Sequence, residues 1–137
     1  MNPLVFLHGF TGSAKSWDEL RNKLNFSSKA IDCPGHGKNL IEDLSNPYTF
    51  KDWQKEFNFY LHQNNLEKIT LCGYSMGGRL AISFASAIPE KIKSLILISS
   101  TAGISNDVEK KNRIQIDKEL SNKIINDFQL FLNEWEK

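Results

Sequence analysis

Gly73-Tyr74-Ser75-Met76-Gly77 sets one hydroxyl between two glycines at the G-x-S-x-G spacing, with a β-type stretch over 68–72 before it and Gly78 directly after. A chain that passes this abruptly from strand to helix forces the serine into strained backbone geometry and lifts its hydroxyl above the sheet, while the glycines let the two elements approach closely. The start of the following helix adds unpaired N–H groups and a positive dipole end. Together these are the parts of a nucleophile or proton acceptor that works against stabilised negative charge. An ordinary serine in a Gly-rich turn would carry the same five residues, so the surrounding elements must discriminate. Arg79 stands one helical turn beyond Ser75, where its guanidinium could reach the rim of the same pocket and grip a carboxylate through paired hydrogen bonds. A solvated surface arginine is the alternative there.

Several elements must position that turn. The apolar run over 4–7, ended by Gly9, reads as a strand covered on both faces. Ser16 is a cap candidate for a short helix carrying Trp17, Leu20 and Leu24, with Glu19 at the capping-box position. Residues 29–33 read as a weak strand stopped by Pro34 and Gly35. From the cap candidate Thr49, the residues Phe50, Trp53, Phe57, Tyr60 and Leu61 form one helical stripe, with Lys51, Asp52, Lys55 and Glu56 toward water. A strand over 68–72, a helix over 76–88 ended by Pro89, and a further buried strand over 93–98 complete the alternation. Strands alternating with helices imply right-handed crossovers, so the expected class is α/β, a parallel sheet with helices on both faces. Beyond Gly103 the pattern changes: Ile116, Leu120, Ile124, Phe128, Phe131 and Trp135 recur at helical spacing, predicting an amphipathic helical region with no strand after it.

The 137 residues suit one domain or part of one, and 40% hydrophobic with 24% charged residues is the composition of a packed globule rather than a disordered or fibrous chain. Seventeen Lys and Arg against sixteen Asp and Glu leave a net charge of +1, which gives no broad attraction to nucleic acid or an anionic membrane. The longest aliphatic and aromatic runs, over 4–7 and 95–98, fall far short of the roughly 20 residues that span a bilayer. No secretory signal is recognisable, so a cytoplasmic location is expected. Cys33 and Cys72 are too few for a disulfide scaffold, lack metal-ligand spacing and read as small core hydrophobes.

Four segments carry a resemblance. Residues 6–12 (Phe-Leu-His-Gly-Phe-Thr-Gly), 32–37 (Asp-Cys-Pro-Gly-His-Gly), 73–79 (Gly-Tyr-Ser-Met-Gly-Gly-Arg) and 131–137 (Phe-Leu-Asn-Glu-Trp-Glu-Lys) resemble the α/β-hydrolase superfamily. Within it they look like the 2-succinyl-6-hydroxy-2,4-cyclohexadiene-1-carboxylate synthases of menaquinone and phylloquinone biosynthesis. The first two segments are shared widely across the superfamily; the arginine after Gly-Gly and the late Trp-Glu-Lys point to this family. The resemblance implies elimination of pyruvate from an enolpyruvyl substrate, with no cofactor or metal and a small polyanionic substrate. Ser75 would be the serine of a Ser-His-Asp triad, and the backbone N–H groups of Phe10 and Met76 would form the oxyanion hole. Tyr74 would pack beside the nucleophile, and Arg79, Arg113 and Trp135 would contact substrate, the last two from the cap.

One departure stands out. In this fold the triad acid and histidine follow the nucleophile, whereas His8, His36 and His62 all precede Ser75. His8 is expected to be structural, His36 to stabilise its loop, and His62 to lie at the surface. The expectation is therefore an α/β-hydrolase core over 1–103 and the start of a helical cap over 104–137, cut within the cap, with a missing C-terminal half as a possible partner. Such a chain should have little activity alone and marginal stability, with an unpaired sheet edge. Two other classes remain open: a carboxylic ester hydrolase, which would keep Ser75 and the N–H pair without needing Arg79, and a non-catalytic binding module that uses the cap helix as a partner surface.

Overall fold

The computed structural model of the chain describes residues 3–43 and 45–135. Strand β1 (Leu4–Leu7) is buried at every position, as an unbroken apolar run requires when both faces of a strand are covered. It pairs in parallel with β2 (Ser28–Ile31) on one side and β3 (Ile69–Tyr74) on the other. β3 in turn pairs in parallel with β4 (Ile92–Ile98), giving the order β2-β1-β3-β4.

Helices cover this sheet from both sides, which makes the class α/β. On one face Val5, Leu7 and Leu71 pack against Trp53, Phe57 and Leu61 of α2 (Phe50–Gln63) and against Ala81 and Phe84 of α3 (Met76–Ala87). The Phe57 ring meets Phe84 edge-on at 4.6 Å, and the Trp53 indole N–H donates to the Leu80 carbonyl at 3.0 Å, so the apolar stripe of α2 is also anchored by a polar contact. On the other face Leu4, Phe6 and Cys72 pack against Trp17 and Leu24, around the short helix α1 (Asp18–Asn22). Thr49 caps α2 as its sequence predicts: its Oγ1 accepts from the Asp52 N–H, while Asp52 Oδ2 accepts from the Thr49 N–H at 2.9 Å.

The chain divides into two compact units, Met1–Ala102 and Gly103–Lys137. The second contains α4 (Asp107–Asn126) and α5 (Phe128–Trp135). Asn106 caps α4 through its side-chain oxygen, which accepts from the Val108 and Glu109 amides. Glu136 and Lys137, which end the fourth resembling segment, lie outside the described residues. Among the described residues no helix is long and apolar enough to cross a membrane.

Four sequence expectations need correction. Ser16 does not cap α1: the chain enters by a 3-10 turn over Ala14–Trp17, and Ser16 Oγ instead accepts from the N–H of the extended Ser13 at 3.1 Å. Phe50, at the first position of α2, is half exposed rather than part of the buried stripe. The helical region predicted from Ile116 to Trp135 is present as two helices divided where Asp127 turns extended (φ −156°, ψ 95°), but it is not amphipathic throughout, because no residue of α4 is buried. Finally, β4 is not a buried strand. Leu95, Ile96, Leu97 and Ile98 are 36 to 43% exposed, because β4 is an edge with no neighbour on its outer side.

Candidate active site

Ser75 follows the last residue of β3 and precedes the first of α3, with φ 51° and ψ −112°, a left-handed conformation that costs a non-glycine residue about 1–3 kcal/mol. Three close approaches enforce it. A Cβ at Gly73 would stand 2.5 Å from the Gly77 carbonyl oxygen, and one at Gly77 would stand 2.4 Å from the Leu7 carbonyl oxygen. One at Gly78 would collide with the Ser100 hydroxyl. The start of α3 is therefore pressed onto the ends of β1 and β3, and the intervening residue has to accept the strained turn.

Hydrogen bonds hold that backbone from both sides. The Ser75 N–H donates to the Ile98 carbonyl at 2.9 Å. The Ser75 carbonyl accepts from the Gly78 and Arg79 amides at 3.1 and 3.2 Å and from the Ser100 hydroxyl at 3.0 Å. The side chain makes no capping bond to α3 and is partly exposed, so the hydroxyl stays available at the helix N-terminus.

The turn after β1 lies against this serine. A Cβ at Gly9 would stand 2.8 Å from the Tyr74 ring and 3.6 Å from Ser75 Cβ. Phe10 is the next residue along that turn, and Met76, as the first residue of α3, has an N–H with no intrahelical acceptor. Tyr74 and Ser75 thus lie against Gly9, the residue before Phe10. Arg79 is exposed one helical turn along α3, and among the described residues its side chain makes no salt bridge. Arg113 and Trp135 belong to the second unit. Arg113 Nε donates to Asp117 Oδ1 at 2.8 Å on its own helix, and the Trp135 ring lies 5.6 Å from that of Phe131.

The histidines sort by geometry. His8 is buried, and its Nε2 accepts from the Cys33 N–H at 2.9 Å; the ring must therefore carry its proton on Nδ1, which donates to the Gly9 carbonyl at 2.7 Å. Both nitrogens are committed, so His8 is the structural tie between the ends of β1 and β2 that its position suggested. Burial pushes its pKa below the ordinary value, aided by the nearby His36. His36 turns Nδ1 toward the Pro34 carbonyl at 3.0 Å, within its own loop, and His62 is exposed on α2. Burial also raises both thiols, Cys33 to about 12.

A family model for the alpha/beta hydrolase fold matches residues 2–134. The chain belongs to this family. It is 39% identical, over 97% of its own length and 49% of the relative's, to a Bacillus subtilis (strain 168) protein named "Putative 2-succinyl-6-hydroxy-2,4-cyclohexadiene-1-carboxylate synthase". The solved structure of MenH from S. aureus is 32% identical and superposes with a TM-score of 0.88 over 99% of this chain and 52% of that one. Naproxen esterase from Bacillus subtilis is 29% identical, with a TM-score of 0.60 over 69% of this chain and 33% of its own. The chain spans about half the length of the first two.

Two residues of this α/β hydrolase escaped the sequence reading. Ser100 braces the strained turn from the far end of β4, and the only hint was a Ser-Ser pair after an apolar run. Asp32 organises the loop after β2. Burial would raise its pKa, but the amides of Ala14 and Lys38, donating at 2.7 and 2.9 Å, outweigh this and hold it below its ordinary value. Gly37, at φ 56°, leaves room for that carboxylate.

Proposed function

We propose that this α/β hydrolase serves a carbon–oxygen lyase reaction of menaquinone or phylloquinone biosynthesis. In that reaction pyruvate is eliminated from 2-succinyl-5-enolpyruvyl-6-hydroxy-3-cyclohexene-1-carboxylate to give 2-succinyl-6-hydroxy-2,4-cyclohexadiene-1-carboxylate. The single observation that carries the reading is the strained Ser75, with its hydroxyl unspent at the start of α3, in a chain similar along its length to synthases of that name.

In this reading the Ser75 oxygen accepts the substrate proton and relays it to a histidine. The Phe10 and Met76 N–H groups hold the oxyanion that forms as the proton leaves, each worth about 3 to 4 kcal/mol of barrier. Electrons from the broken C–H bond then form the second ring double bond as the C–O bond to the enolpyruvyl group breaks and pyruvate departs. Arg79 pairs with a substrate carboxylate at the rim, Tyr74 packs beside the serine, and residues 104–137 begin a cap from which Arg113 and Trp135 reach the polyanionic substrate. A cytoplasmic setting belongs to the same reading. His8, with both ring nitrogens bonded, is no base for Ser75. The relaying histidine and its acid therefore come from residues other than these, and without them Ser75 is a weak acceptor.

Pyruvate release tests the reading. The chain alone is expected to release almost none. Fused to the portion of the Bacillus subtilis relative that follows its matched region, it is expected to turn over. In that fusion Ser75→Ala should lose about a thousandfold or more in rate, and Arg79→Ala should mainly raise KM. Ester cleavage without pyruvate release, indifferent to Arg79→Ala, would overturn the lyase in favour of a carboxylic ester hydrolase, the activity named for the naproxen esterase relative.

A further inference from the structure

Both peptide groups that flank Ser75 are gripped by the end of β4 and the turn after it. The Tyr74–Ser75 peptide donates its N–H to the Ile98 carbonyl at 2.9 Å, and the Ser75–Met76 peptide accepts at its carbonyl from the Ser100 hydroxyl at 3.0 Å. Between the two gripping residues stands Ser99, which at φ 51° occupies the same left-handed region as Ser75 itself. The chain there carries the Ser100 side chain onto the start of α3, where a Cβ at Gly78 would collide with its hydroxyl. That hydroxyl shares its one proton between the Ser75 carbonyl and the Ile98 carbonyl, which is 3.1 Å away.

The Ser75 carbonyl also accepts from the Gly78 and Arg79 amides, so three donors converge on one oxygen. The other end of the same peptide is the Met76 N–H. A peptide group is planar, and among the described residues none is cis, so the carbonyl and the N–H point in opposite directions and cannot turn independently. Fixing the carbonyl therefore fixes the direction of the N–H. Donors that draw charge onto the oxygen also strengthen the N–H as a donor in its turn. The Gly78 and Arg79 amides belong to α3 and move with Met76. Ser100 is the donor that comes from another element and refers that N–H to the sheet.

We infer that Ser100 is a positioning residue for the oxyanion site: through the Ser75 carbonyl it aims and polarises the Met76 N–H toward the oxygen that gains charge. This role rests on the proposed use of Met76 as an oxyanion donor, and Ser100 touches no substrate in it.

Two measurements keep the role distinct from the reaction it serves. The first is the amide nitrogen resonance of Met76 in the present chain, which responds to hydrogen bonding at the carbonyl of the same peptide. Ser100→Ala should shift it upfield while Leu71 and Cys72 of β3 stay in place, and Ser100→Thr, which keeps the hydroxyl, should restore it. The second is pyruvate release by the chain fused to the portion of the Bacillus subtilis relative that follows its matched region. There Ser100→Ala should lower kcat about tenfold with KM unchanged, less than the roughly hundredfold to thousandfold loss when an oxyanion donor is removed outright, and Ser100→Thr should recover most of the rate. An unmoved Met76 resonance in Ser100→Ala overturns the assignment whatever reaction Ser75 serves. So does a rise in KM at constant kcat, or a loss of rate that Ser100→Thr leaves unrepaired. A fusion that releases no pyruvate even without substitution overturns the lyase reading instead, and the Met76 resonance then decides the role of Ser100 by itself. Should Ser100→Ala not fold, Ser100→Cys keeps a heavy atom in place with a weaker donor and must displace the same resonance in the same direction.

Discussion

A buried imidazole with both nitrogens engaged makes the fold sensitive to acid in a defined window. Neutral His8 accepts from the Cys33 N–H, and an imidazolium cannot. Its folded pKa lies below 6.5, so the stability it confers is complete above about pH 6.5 and is lost as pH falls through that value toward the folded pKa. Asp32, whose folded pKa is depressed below 3.8, acts in a separate window: its contribution is present above that value and disappears in stronger acid. Asp32 and His36 are the titratable neighbours that bear on the His8 ring. The urea midpoint should therefore decline between pH 7 and pH 5, and His8→Gln should flatten most of that decline; an unchanged slope in the variant would count against this role. Ser75 was legible as a special residue from five letters of sequence. Ser100 and Asp32 were not, since each acts on partners brought near only by the folded sheet.

At the level of elements, the glycines differ in how much they matter. An alanine methyl at position 77 meets two main-chain carbonyl oxygens, of Leu7 and His8, at 2.4 and 2.6 Å, and only separation of α3 from β1 could relieve it. Gly77→Ala should cost about 2–3 kcal/mol or more in urea unfolding. At position 9 the obstacle is the half-exposed Tyr74 ring, which can swing aside, so Gly9→Ala should cost about 1 kcal/mol or less. Equal losses at the two sites would refute this account of the turn. β1, β3, α2 and α3 were readable in sequence because their signals are local: an unbroken apolar run, a 3.6-residue stripe, a Thr49 cap, a terminating Pro89. The burial of β4 was not readable. Its composition states what the strand requires, whereas its exposure depends on neighbours. The division of α4 from α5 turns on a single residue, Asp127, inside an otherwise regular stripe.

For the molecule as a whole, a four-stranded parallel sheet whose β4 edge leaves four large aliphatic side chains exposed buries too little for sharp cooperativity. Thermal unfolding of the chain should be broad, with a calorimetric enthalpy unequal to the van't Hoff value. A steep two-state transition would contradict this.

A residue with strained backbone is tethered to an exposed strand through the bond from the Ser75 amide to the Ile98 carbonyl. The serine and the rim of the sheet thereby share one mechanical linkage. Because Ile98 accepts the Ser75 amide proton and Ser100 bonds the Ser75 carbonyl, restraint on that strand and its following turn is restraint on the serine backbone.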